Sequence, residues 1–252
     1  MTEKAQGVQQ LNTDRVQRQA LEQLLATKEE LDPELEMWVD LDGPLGPSIK
    51  HPLVFSIVHH PNLNALVNEQ FRIKKEALAE AIAKGQWHRA VFLYERPYRV
   101  EAFADICWKL DAAEYWDLLR EVWTDTENAW QHYDQWRELL SADVENREMM
   151  SSQDVRCVFT LPPERGGLAP RTRIYRGFSH DEGLDGFSWT LDQARAKWFA
   201  RRAADLTGGG HPARVAAGWV AREHVIAHIT DRDEQEIVVL PEHVEDKTVE
   251  EV

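Results

Sequence analysis

The sequence predicts an α+β protein in two parts: a helical, Trp-rich stretch over about 1–160, then a smaller part over about 161–252 where short strands and a helix alternate. Three observations carry that prediction. Apolar residues recur at helical spacing as far as Leu140, β-type runs dominate after Arg173, and Pro162, Pro163, Gly166, Gly167 and Pro170 crowd between the two. Proline lacks an amide donor and glycine is conformationally permissive, so such a cluster interrupts helix and strand alike. A chain of 252 residues is long enough for two cores of this size.

The first part reads as helices joined by a loop. Leu11-Asn12-Thr13-Asp14 offers a cap ahead of Val16, Ala20, Leu21, Leu24 and Leu25. Pro33, Gly43, Pro44, Gly46 and Pro47 then suggest a loop, and Asn62 to Lys84 reads as a long helix that Gly85 ends. Asp111 with Glu114, and Thr124 with Glu127, have capping-box spacing and predict helices over about Ala112–Trp123 and Asp125–Leu140. Trp116, Trp123 and Trp130 recur every seven residues, with Trp108 and Trp136 nearby. That repeat runs across the junction of the two helices, and core packing is the expected role, with a cofactor-stacking or peptide-binding stripe as the alternative.

After the boundary, Arg173-Ile174-Tyr175-Arg176 predicts a strand ending at Gly177, and Gly186 to Thr190 a second. Asp192 to Arg202 is expected to be a helix. Further strands follow near Ala213–Val220, Val225–Ile229 and Glu236–Leu240, the last stopped by Pro241.

Composition removes several function classes. Apolar residues make up 43% and charged residues 29%, a folding composition, and 29 basic against 44 acidic residues give a net charge of −15. That balance argues against holding DNA or RNA by phosphate neutralisation, though not against an enzyme that touches nucleic acid briefly. From Gly166 onward there are 11 basic and 15 acidic residues, so most of the excess lies before it, where a solvated acidic face or the docking of a basic partner is expected. No apolar run approaches the ~18 residues needed to span a bilayer, and the polar start MTEKAQGVQQ does not read as a signal peptide, so a cytoplasmic protein is expected. Cys107 and Cys157 are too few for a disulfide framework or a structural zinc site and are expected to be small buried hydrophobes. His224 and His228 lack zinc-pair context, Gly208-Gly209-Gly210 lacks the Lys-Ser/Thr of a phosphate loop, and Asp40, Asp42 and Gly43 are not followed by a calcium loop's closing glutamate. No metal is expected.

Three pieces remain, in order: Tyr175-Arg176-Gly177, then Ser188-Trp189-Thr190 followed by a helix, then Glu234-Gln235-Glu236 opening a late strand. Together they resemble the mono-ADP-ribosyltransferases of the Arg-Ser-Glu class, in which an arginine ends a first strand, Ser-x-Ser or Ser-x-Thr precedes a helix, and Glu-x-Glu opens a late strand. The resemblance covers about Arg171 to Val244 and implies a split, mainly antiparallel sheet, with NAD as substrate and nicotinamide as a product. It makes Glu236 the catalytic carboxylate facing the ribose, Arg176 a pyrophosphate ligand, Gly177 a main-chain contact to the nicotinamide amide, and Ser188 the residue orienting Glu236. Thr190 is expected to be structural beside the NAD site. Glu234, placed with Glu236 on one strand face by period-two alternation, would orient the acceptor, with the turn Thr230-Asp231-Arg232-Asp233 recognising it. Trp189, an unusual middle residue for that element, is expected in the core.

The chemistry suits these residue types. Cleaving a ribose–nicotinamide bond builds an oxocarbenium-like sugar that a carboxylate stabilises, and a guanidinium matches phosphate with a forked donor set. Protein arginine is the acceptor the resemblance favours. Transfer to a nucleic-acid base, simple NAD hydrolysis, and a non-enzymatic acidic interaction protein with a degenerate NAD site are the alternatives. Small enzymes of this kind resemble toxin-type or phage-borne effectors acting in a host cytoplasm.

Overall fold

The computed structural model describes residues 28–43, 45–152, 154–155, 171–208, 210–230 and 234–252. The helix expected near Leu11, Cys157, the proline- and glycine-rich boundary and the residues 231–233 lie outside them. The chain divides into two compact units, Met1–Ala102 and Phe103–Val252. The division expected near residue 160 falls among residues not described. The helices of residues 112–140 therefore belong to the same unit as the strands.

Within the first unit the chain is not purely helical. A short α1 (Pro33–Glu36) starts where the Asp32 carboxylate accepts the Glu34 amide. Strands β1 (Val39–Asp40), β2 (Ser48–His51) and β3 (Val54–Ser56) form a small antiparallel sheet where a loop was expected. Gly43, Gly46 and Pro47 fall in the connection between β1 and β2 and do not abolish pairing. Helix α2 (Asn64–Ala83) ends at Lys84, and Gly85 follows at φ 64°, a left-handed conformation suited to glycine. Helix α3 (Trp87–Leu93) comes next. Leu35, Ile49, Leu53, Val54, Val67 and Phe71 bury against one another as the core of this unit.

Helix α4 (Arg99–Ile106) crosses the division, and α5 (Ala112–Asp125) opens the second unit proper. Both halves of its capping box are made: Asp111 accepts the Glu114 amide at 2.9 Å and Glu114 accepts the Asp111 amide at 3.2 Å. The second expected capping box does not form. Helix α5 runs on through Thr124, whose buried hydroxyl has no hydrogen-bond partner. The chain breaks at residues 126–128 and Asn128 caps a 3₁₀ turn, Ala129–His132, that leads into α6 (Tyr133–Leu140).

Six antiparallel strands follow: β4 (Arg171–Phe178), β5 (Ser188–Thr190), β6 (Arg214–Ala221), β7 (Val225–Ile229), β8 (Glu236–Val239) and β9 (Val244–Glu251), in the order β7-β8-β5-β4-β6-β9. One face buries Ile174, Phe178, Trp189, Ile237 and Val239. Against the other packs α7 (Gln193–Leu206), through Ala196 and Ala200 on Val215. Gly177 lies inside β4, not at its end. A Cβ there would come within 2.0 Å of the Ala196 carbonyl oxygen and 2.5 Å of the Ala200 nitrogen, so the missing side chain is what lets α7 settle on the sheet. Strand β9 was not expected from sequence, because nearly all of its residues are exposed and acidic ones predominate. Among the described residues no helix is long and apolar enough to cross a membrane, and no group of three or more His, Cys, Asp or Glu could hold a metal ion.

Candidate active site

Strands β5 and β8 set the site. Their ladder pairs Ser188 with Val238, Trp189 with Ile237 and Thr190 with Glu236. Alternation turns Trp189 into the core, where it is 1% exposed, and leaves Ser188 and Thr190 on the face that Glu236 shares. Strand β4 touches β5 at a single register pair, Tyr175 with Thr190. Arg176, one step further along β4, reaches across to β5.

Two adjoining cavities open at this place, of about 270 Å³ and 400 Å³. Arg176, Ser188, Glu234 and Glu236 line both, with Glu127 and Phe199. The structure thus brings four sequence-predicted residues around one two-lobed cleft, and Gly177 and Thr190 border its larger lobe. Their local contacts depart from expectation in three ways.

Arg176 is engaged with its own protein. Nε donates to the Gly183 carbonyl at 2.6 Å and Nη1 to the Ser188 carbonyl, so the guanidinium straps β4 to β5 and to the turn between them. Burial pulls its pKa down to about 10, while the charge of Glu236 pulls it back up. Gly186 was missed as a partner in this arrangement. A Cβ on it would lie 2.0 Å from Nη2 of Arg176, so that glycine makes the guanidinium's place.

Glu236 is 5% exposed, and its Oε1 accepts a hydrogen bond from Trp123 Nε1 at 3.1 Å. The donor expected for that carboxylate was Ser188, whose described contact is through its main-chain carbonyl. Trp123, expected in the core from its spacing, therefore also belongs to the site.

Glu234 lies outside β8, which begins at Glu236. Gln235 between them has φ 46°, so the two glutamates line one cleft across a left-handed kink and not by simple strand alternation. Thr190 holds that kink: its hydroxyl donates to the Glu234 carbonyl at 2.6 Å and accepts the Asp192 amide at 3.1 Å. Buried His228 sits 3.2 Å from the Gln235 side-chain oxygen, and burial keeps its pKa below the usual histidine value.

The smaller lobe is walled by the break between α5 and α6. Trp130 stacks on Tyr133 at 4.8 Å and Tyr133 on Phe187 at 4.6 Å, forming an aromatic ladder beside Glu127, Glu234 and Glu236. The Tyr133 hydroxyl donates to the Asp185 carbonyl at 3.0 Å. The larger lobe runs along α7, where Arg202, Ala203 and Leu206 line it. Arg202 makes no ion pair among the described residues; its guanidinium lies 5.4 Å from the ring of Trp198. The glutamates thus line both lobes, the smaller adding the aromatic ladder and the larger adding Arg202. Sequence gave no sign of Glu127, Tyr133 or Arg202, because each is brought to the cleft by packing rather than by a motif.

No protein-family model, curated protein or solved structure matches the chain.

Proposed function

We propose that the chain is an NAD-dependent mono-ADP-ribosyltransferase, with protein arginine as the acceptor. The observation that carries the reading is the meeting of Arg176, Ser188 and Glu236, from three different strands, around one cavity. The antiparallel sheet with a helix after β5 is compatible with the fold of that enzyme class. Charge in the cleft suits NAD as well. NAD has a cationic pyridinium at one end and an anionic pyrophosphate in its middle. The aromatic lobe suits the pyridinium by ring stacking, with the shared glutamates beside it. Arg202 in the other lobe suits the pyrophosphate, since two of the Arg176 donors are already committed to carbonyls.

In this reading the bond between ribose C1′ and the pyridine nitrogen breaks, its electron pair leaving with neutral nicotinamide. Glu236 opposes the positive charge that develops on the sugar. The acceptor nitrogen supplies the electron pair of the new C1′ bond and gives up its proton to Glu234 or to water. A carboxylate already positioned for such charge is worth ~3–4 kcal/mol in the transition state.

Labelling NAD in its adenylate part and incubating it with the protein and an arginine-rich acceptor tests the reading. Label on the acceptor with equimolar nicotinamide is expected. Nicotinamide without label transfer replaces the transferase by a hydrolase, and intact NAD overturns the enzyme reading.

A further inference from the structure

We infer that Trp123 is a positioning residue that orients the Glu236 carboxylate, so that the helical half of the second unit takes part in NAD cleavage. The inference rests on the NAD reading above.

The contact is a buried hydrogen bond between residues 113 positions apart, and both partners are 5% exposed. Other buried indoles that donate use main-chain carbonyls: Trp116 bonds Glu145 at 2.8 Å and Trp189 bonds Gly186 at 3.0 Å. Those are the bonds of packing tryptophans, and phenylalanine would lose little else. The acceptor of Trp123 is the carboxylate at the centre of the cleft. Its ring is held edge-on by Trp136 at 5.0 Å and by Phe187 at 6.5 Å, so the N–H has a fixed direction.

A neutral donor is the right kind of group for this task. An arginine or lysine on the same oxygen would orient Glu236 but also cancel the charge that must meet the cationic sugar. An indole N–H fixes the carboxylate and leaves its full negative charge in place. On β4 and β5, Arg176 donates Nε and Nη1 to two carbonyls, and Ser188 is paired in register with Val238.

The test is Trp123→Phe, which keeps most of the ring volume and removes the N–H. A hydrogen bond to a charged group corresponds to roughly a 10- to 100-fold effect. The kcat for nicotinamide release should fall by that factor, with KM for NAD within about twofold of wild type. A variant with unchanged kcat overturns the inference, and so does one in which kcat, KM and melting temperature move together as for lost packing. A second readout needs no activity. In ¹⁵N-labelled protein the indole N–H signal lost in Trp123→Phe should shift with pH as its carboxylate titrates. Glu127, Glu234 and Arg176 line the same cavity, so Glu236→Gln must abolish that shift. A signal that titrates unchanged in Glu236→Gln, or does not titrate in wild type, overturns the pairing. Wild-type protein that releases no nicotinamide overturns the NAD reading alone, and the pairing is then decided by the indole signal.

Discussion

Glu234 and Glu236 share a cleft, yet substituting them should have different consequences. Glu236→Gln is nearly isosteric and, on the proposed NAD reading, removes the charge facing the sugar, so nicotinamide release and label transfer should both vanish while the melting temperature holds. Glu234→Gln, on the same reading, removes charge on the acceptor side, so transfer should fall sharply while slow nicotinamide release persists. Measuring both products for both variants decides it; wild-type release by Glu236→Gln would remove Glu236 from the catalytic role. Arg176 carries a different lesson. Its residue type and position were legible, because an arginine next to a glycine in a first strand is a local pattern. Its engagement was not, since the carbonyls of Gly183 and Ser188 meet it only once the turn has folded. Gly186→Ala should show how tightly that place is drawn. The added methyl would sit 2.0 Å from Nη2, so the guanidinium must move, at a cost of roughly 1–3 kcal/mol in denaturant unfolding and with weakened NAD binding.

Elements were legible where one local signal dominated. The Asp111–Glu114 box starts α5 as its spacing predicts, and Gly85 closes α2. Thr124 and Glu127 had the same spacing and failed, because Val122 and Trp123 beside them are drawn into the core and carry the helix past the intended cap. The break that results at residues 126–128 gives the cleft one of its walls. The tryptophan repeat divides accordingly. Trp116 is fully buried on α5, so Trp116→Ala should cost ~3–5 kcal/mol. Trp130, 39% exposed, stacks on Tyr133 at the mouth of the smaller lobe. Trp130→Ala should cost well under half as much and should raise KM for NAD; equal melting losses for the two variants would mean that the lobe is no ligand wall. The small sheet β1–β3 and the strand β9 escaped prediction for opposite reasons. Turn residues masked the first, and the second has almost no buried positions from which to read an alternation.

At the scale of the molecule, acid should loosen the fold before it reaches the carboxylates. Burial holds His51 and His228 below the ordinary value of 6.5, one in each compact unit. Unfolded histidine therefore takes up protons first, and stability falls as pH drops from 6.5 toward the lower folded values. Nδ1 of His51 also accepts the Leu53 amide at 3.0 Å, a bond that protonation removes. The urea midpoint should drop between about pH 7 and about pH 5.5, and His51→Asn, which offers an amide oxygen to Leu53, should flatten that slope. An equal slope in the variant would place the loss elsewhere. The two borders of the six-stranded sheet lead to a different expectation. On β7 the open main-chain groups are taken up: the Ser151 hydroxyl accepts the His228 amide at 3.0 Å, the Ser152 amide donates to the His228 carbonyl at 3.0 Å, and the Ser152 hydroxyl accepts the Thr230 amide at 2.8 Å. On β9 exposed charge stands instead: Glu245 and Asp246 lie 2.9 Å and 3.6 Å from Arg171, Glu250 lies 3.5 Å from Lys197, and Glu251 is exposed, with a register irregularity where β9 meets Ala217 and Trp219. One border is closed by hydrogen bonds and the other is guarded by exposed charge, and only the second depends on the solution. Strong acid or concentrated salt should therefore turn β9 into a template for its own kind, with copies of the chain joining strand to strand into growing aggregates, while β7 stays closed.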